Sequence, residues 1–155
     1  MAELKTQGTE LFLLDDADSG NEVRKIGNVT SLSGVGGTAG EIDVTNFDST
    51  AREFLAGLKD NGTVSFNVNW DPSDGSHEAI DAIVGADTNR RFVICCSEAD
   101  TDPTYSSTFT IPTDRTTLDF DGAVLSFQKD AETDNVWTGS VSIRVSGDIT
   151  VTAAV

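Results

Sequence analysis

The stretch Thr50–Trp70, TAREFLAGLKDNGTVSFNVNW, changes its hydrophobic period halfway. In its second half Val64, Phe66, Val68 and Trp70 alternate with Thr63, Ser65, Asn67 and Asn69. Side chains of a strand alternate between faces, so this half is a strand with an apolar back, destined for the core, and a polar front without charge. In the first half Phe54, Leu55 and Leu58 stand at helical spacing, with Thr50 and Glu53 placed as a capping box. A short helical turn is expected there, stopped at Gly57. Asp60-Asn61-Gly62 joins the halves with residues that tolerate positive φ.

A neutral strand face stands out in this chain. Its 155 residues carry 10 Lys and Arg against 26 Asp and Glu, a formal net charge of −16. That length buries a core without disulfides or metal, and one domain over residues 1–155 is expected. The charge argues against a grip on nucleic-acid phosphates and against docking on anionic membranes. An acidic surface also serves plain solubility.

The apolar run Leu11–Leu14 near the start is too short for a signal peptide or a membrane span, so synthesis in a cytoplasm is expected. Cys95 and Cys96 are adjacent in RRFVICC. Neighbours on a strand point to opposite faces, so the pair is poorly placed to bridge and reads as two buried, reduced thiols.

Working outward, the pattern is mostly β. ELFLLDD is apolar on both faces and should be covered on both sides, DDADSGN is a turn cluster, and EVRKIGNVTSL continues as one strand-like piece. SGVGGTAGE reads as a long mobile loop, and EIDVTNF alternates with Ile42 and Val44 on one face. DPSDGSHEAIDAIVG holds the best helix, capped by Asp74 or Ser76, burying Ala79, Ile80 and Ile83 and ending at Gly85. RRFVICCSE is a doubly buried strand, followed by strands at SSTFTIP, LDFDGAVLSFQKD, VWTGSVSIRVSG and DITVTAAV. The fold class expected is mainly β: an antiparallel sandwich or barrel with one flanking helix and a long Gly-rich loop.

Chemistry-bearing patterns are absent. The one histidine, His77, stands beside Glu78 at a helix start and reads as solvent-facing, which leaves no imidazole for a Ser-His-Asp arrangement. Neither Asp-rich loop keeps the calcium-loop register: Ala17 and Ile26 break it around Gly20, and Thr117 and Gln128 around Gly122. GVGGTA at Gly34–Ala39 matches a dinucleotide fingerprint in form, but the strand-like GEIDVTNF follows where a helix is required. No catalytic residue, cofactor or metal site is assigned, and no enzyme is expected.

The order of parts carries more. A Gly-rich loop leads into EIDVTNFDSTAREFLAGLKDNGTVSFNVNWDP, then a helix with FVI behind it, and the chain closes with FDGAVLSFQKD and WTGSVSIRVSGDITV. This arrangement resembles the major tail tube proteins of long-tailed, siphovirus-type bacteriophages, over nearly the whole chain and most specifically over Ile42–Pro72. The resemblance implies a β-sandwich with a flanking helix, related in fold to the type VI secretion tube protein. It implies hexameric rings stacked into a hollow tube through which DNA passes without specific binding. The partners it implies are further copies of the chain, tail-tip or baseplate and tail terminator proteins, and a tape measure protein in the lumen. The implied location is the virion tail, assembled in the bacterial host cytoplasm.

In that role Ser33, Gly34, Val35, Gly36, Gly37, Thr38, Ala39 and Gly40 are the candidate inter-ring loop, and loss of Gly34–Thr38 is expected to leave a folded monomer that forms no tubes. Thr63, Ser65, Asn67 and Asn69 are candidates for a ring seam or lumen lining, and Asp43, Asp48 and Asp119 for acids facing the lumen. DITVTAAV is a candidate second arm, adding to a neighbour's sheet edge. Two other readings stay open: a non-viral acidic β-sandwich binding or adhesion module, and another ring-forming virion protein such as a tail terminator.

Overall fold

The computed structural model describes residues 3–15 and 22–155. The turn expected at Asp15–Asn21 lies outside them, apart from Asp15, whose backbone ends the first strand. In chain order the elements are β1 (Glu10–Asp15), β2 (Glu22–Lys25), β3 (Val29–Ser33), β4 (Thr38–Asp43), β5 (Phe54–Asp60), β6 (Thr63–Asn69) and α1 (Gly75–Ile83). Then come β7 (Arg90–Cys95), β8 (Thr104–Tyr105), β9 (Phe109–Thr110), β10 (Thr117–Asp130) and β11 (Thr138–Thr152). The fold is mainly β and antiparallel, with one flanking helix.

A seven-stranded sheet runs in the order β2-β1-β7-β10-β11-β6-β3. Its edges, β2 and β3, are consecutive in the chain and joined only by Ile26, Gly27 and Asn28. Flat, such a sheet would hold its edges about 29 Å apart, whereas this link reaches about 14 Å at full stretch. The sheet is therefore rolled toward a barrel, and Asn28 turns the corner at φ 60°. EVRKIGNVTSL is accordingly two strands on opposite edges, not one piece.

Alternation decides which faces meet inside. Val64, Phe66 and Val68 of β6 and Val141, Ile143 and Val145 of β11 are buried together with Leu11, Leu13, Phe92, Ile94 and Phe120. The opposite face of β1, Phe12 and Leu14, packs with Val93 and Cys95 in a second, smaller core covered by Phe109 and Ile111. Strands β1 and β7 are thus buried on both faces. Trp70 lies just beyond β6, partly buried and edge-on to Trp137 with ring centroids 5.7 Å apart.

The helix forms where its cap predicts. The Asp74 carboxylate accepts from the Ser76 amide at 2.9 Å, and Ile80 and Ile83 are buried while Ala79 is partly so. Gly85, at φ 75°, gives its amide to the Val124 carbonyl at 3.0 Å and docks the helix end on β10.

His77 is buried, not solvent-facing. Its Nδ1 accepts the Asp71 amide at 3.1 Å, which leaves Nε2 as the donor to the Gly27 carbonyl at 2.7 Å. The reason is helical spacing: His77, Ile80 and Ile83 share the inward stripe, and the ring satisfies the β2–β3 corner.

Four further expectations change. The helical turn at Phe54–Leu58 is strand β5, paired antiparallel with β4. The loop at Ser33–Gly40 is a short bend, Gly34–Gly37, between β3 and β4. VWTGSVSIRVSG and DITVTAAV are one strand, β11, because Gly147 at φ 83° bulges the chain and does not end it. Around 104–111 the regular structure shrinks to the small β8–β9 pair.

Candidate assembly surfaces

Residues 38–60 form a β-hairpin arm that shares no ladder with the seven-stranded sheet. Its ladder pairs Ile42 with Leu55 and Asp43 with Phe54. Cross-strand partners share a face, so Ile42, Leu55 and Val44 line one side, while Phe54, Asp43 and Arg52 line the other. Ile42, Val44, Phe54, Leu55 and Leu58 are all exposed, and Phe47 at the tip is fully so. An apolar arm without a core of its own is an association surface by its physics.

The arm is built, not loose. At its base the Arg144 guanidinium pairs with the Asp60 carboxylate at 2.9 Å, and the Asn61 side chain donates to the Gly147 carbonyl. Gly34 holds φ 83°, and a Cβ there would fall 2.3 Å from the Thr63 carbonyl oxygen, so only glycine fits this bend.

At the tip short polar side chains close the turn. Asn46 accepts from the Asp48 amide at 2.9 Å, Ser49 donates to Glu53 at 2.8 Å, and the Glu53 amide donates to Thr45 at 2.8 Å. Hydrogen bonds from Thr45, joined by Arg52 at 3.0 Å, hold the Asp43 carboxyl below its ordinary range. Phe47 is therefore presented outward by a hydrogen-bonded scaffold.

The neutral front of β6 turns out to be four strands wide. Ser31, Asn67, Ser140 and Gln128 stand opposite one another across β3, β6, β11 and β10, and so do Ser33, Ser65, Ser142 and Ser126. Asn67 stitches its row, donating to Ser31 at 2.8 Å and accepting from Ser140 at 2.9 Å. Thr63 and Asn69 stand at the ends of β6, opposite Arg144 and Thr138. Neither serine-rich row contains a charge, although the chain carries −16.

Other sequence candidates are dispersed. Asp43 lies on the arm and Asp48 at its tip, whereas Asp119 lies on β10 with its carboxylate held by Arg91 at 2.9 Å. DITVTAAV is not a free arm: Leu118 pairs with Val151, and the Val155 amide donates to the Thr113 carbonyl at 2.9 Å.

Sequence reading missed Arg115 entirely. Fully buried, it donates to the carbonyls of Cys96 at 2.7 Å, Cys95 at 3.1 Å, Gly8 at 3.2 Å and Thr101 at 3.2 Å, and to Glu10 at 3.0 Å. It pins the N-terminal segment and the loop after β7 together. Nothing periodic in IPTDRTTL signals this.

No reactive constellation accompanies these surfaces. Both nitrogens of His77 are committed to backbone partners. Burial pushes the Cys95 thiol up to about 11, so it is no nucleophile at neutral pH. Among the described residues no group of His, Cys, Asp or Glu is placed to hold a metal ion.

A rolled β-sheet with two charge-free rows on one face and a projecting apolar arm defines a building block that works by associating. The phage tail tube (TTP, lambda-like) family matches residues 2–155, and the chain belongs to it. It is a structural tail tube protein, a component of the phage virion tail, and not an enzyme. Structural protein 3 of Pseudomonas phage PAJU2 is 32% identical over 151 residues, covering 94% of this chain and 91% of that protein.

Solved structures share the fold. The SPP1 tail tube superposes with a TM-score of 0.69 at 10% identity, over 99% of this chain and 81% of that one. The tail of an empty GTA particle, refined with C6 symmetry, gives 0.64 at 18% identity over 93% and 96%. The sheath–tube complex of an extracellular contractile injection system gives 0.68 at 10% identity over 98% and 93%. The reading as a non-viral adhesion module gives way to the family, as does the tail terminator reading.

Proposed function

We propose that residues 1–155 act as one tube domain, that copies of it close into hexameric rings, and that the rings stack into the hollow tube through which DNA is ejected. The observation that carries this is the arm: a hydrogen-bonded hairpin exposing Phe47, Leu55 and Leu58, which none of the described residues covers. Ser33 at the end of β3, the bend Gly34–Gly37 and the start of β4, Thr38–Gly40, form the arm's root and lie at the contact between rings.

The uncharged rows through Ser65 and Asn67 serve as ring seam or lumen lining. There they meet another copy without repulsion and offer phosphates no cation to pair with. Asp43, Asp48 and Asp119 remain the proposed lumen acids, the first and last each offset by an arginine. Six-fold symmetry in the GTA tail supports the ring number, and baseplate and cap structures of the same fold support tail-tip and terminator partners. A tape measure protein in the lumen and assembly in the host cytoplasm complete the proposal, the latter in keeping with two free thiols.

The base of the arm supplies the test. A Cβ on Gly37 would lie 2.5 Å from the Asn61 side chain, so the two ends of the arm meet. Replacing Thr38–Asp60 by Gly-Gly should keep the monomer's thermal unfolding and abolish tubes, scored by negative-stain microscopy of concentrated protein with and without tail tips. Normal tubes from this variant would sink the proposal.

A further inference from the structure

The rolled sheet does not close along its whole length. β2 covers β1 only from Phe12 onward, and β3 pairs with β6 alone. A slot opens between the N-terminal end of β1 and the free edge of β3. It is a cavity of about 420 Å³ with buried Leu11 and Ile94 as its floor, partly buried Val29 and Leu32 as its walls, and exposed Thr6 and Thr9 at its rim. Leu11 and Ile94 are ladder partners that face the main core, so the slot is a window onto the hydrophobic interior.

Charge singles this cleft out. None of its lining residues is ionisable, whereas four other clefts on the described surface each include a carboxylate. Each copy of the chain carries −16, and an insertion that buries an unpaired carboxylate is strongly opposed. A charge-free apolar slot therefore suits the insertion of an apolar group from a second copy. The arm offers one: Phe47, fully exposed and held outward at a hydrogen-bonded tip. A cavity of about 420 Å³ has room for a phenyl ring and part of its flanking backbone.

We propose that this slot is the acceptor for the arm tip of a second copy of the chain, with Phe47 seated between β1 and β3. This rests on the reading that the chain polymerises. Donor and acceptor are different patches of one surface, so the contact is heterologous and propagates from copy to copy without using itself up.

The experiment places the photo-crosslinking residue p-benzoylphenylalanine at position 47 of the full-length chain. Tubes are grown on tail tips from a mixture of light and heavy-isotope protein, irradiated and mapped by mass spectrometry. Mixed-isotope crosslinks from position 47 to residues 6–11 or 29–32 are expected. Phe47→Ala, and Thr9→Asp at the exposed rim, should each raise the critical concentration for assembly about 100-fold with the monomer's melting temperature unchanged. Tubes whose crosslinks fall elsewhere, or stay within one chain, overturn the slot and leave the assembly reading standing. Failure of the unaltered chain to form tubes on tail tips overturns both.

Discussion

Replacing Arg115 by methionine keeps the volume and the apolar stem but removes every donor. Five bonds are lost, four of them to backbone carbonyls of Gly8, Cys95, Cys96 and Thr101. Glu10 retains Lys25 at 2.6 Å, so its carboxylate is not orphaned and the loss falls on the carbonyls. At about 1 kcal/mol for each bond lost to a carbonyl, that of Cys95 buried and the other three partly so, the cost is about 4 kcal/mol. That is within the range for breaking one side of a buried charge pair, about 3–5 kcal/mol. For a chain of this size the melting temperature should fall by roughly 8–16 °C.

Arg115→Lys offers three donors in place of five and should lose about half as much. Urea denaturation of the monomer, followed by tryptophan fluorescence, measures both. A loss below about 1 kcal/mol for Arg115→Met would refute the claim that this residue holds the N-terminal segment and the loop after β7 together.

The same site fixes an acid dependence. Burial raises the Glu10 carboxyl, but hydrogen bonds from Lys25 and Arg115 outweigh it and hold the group below its ordinary value. Its stabilising contribution is therefore complete above the unfolded carboxylate range and is lost as pH falls through the lowered folded value. Arg115→Met should flatten the acid limb of the stability profile below about pH 4.

His77→Leu leaves the Asp71 amide and the Gly27 carbonyl without partners, and should cost about 2–3 kcal/mol, read from the same urea midpoints. A neutral result would mean that the β2–β3 corner does not depend on the ring. Burial raises both thiols, Cys95 to about 11 and the half-buried Cys96 in the same direction. Ellman's reagent at pH 8 should label Cys95 of the native protein only as fast as it unfolds, and both thiols at once in urea.

What was legible in the sequence follows from where each pattern is enforced. The alternation Val64, Phe66, Val68 is imposed by the core behind it, and the double burial of Leu11–Leu14 by a core on each side. The Asp74 cap is a local bond, readable from neighbours alone. The arm fails this logic. Phe54, Leu55 and Leu58 sit on an element with no core of its own, so no period of two is imposed on them and chance helical spacing misleads.

In the proposed assembly their apolarity answers to contacts with other copies of the chain. Arg115 was illegible for a different reason, since its five partners come from three separate stretches of sequence. His77 was readable in principle, because its spacing to Ile80 and Ile83 marks the buried stripe. The neutral front of β6 was seen, but its extension over β3, β11 and β10 required the register.

Beneath the arm, Ser33 of β3 faces Ser65 of β6, so the two strands already form a hairpin and the whole of residues 38–60 is an outgrowth of its turn. Growth at a turn leaves the register on either side untouched, and doubling such an insertion costs only about 0.6 kcal/mol in loop entropy. Related chains are thus free to evolve a longer or shorter outgrowth, and in the proposed assembly a different spacing between neighbours, while inheriting the same sheet unchanged.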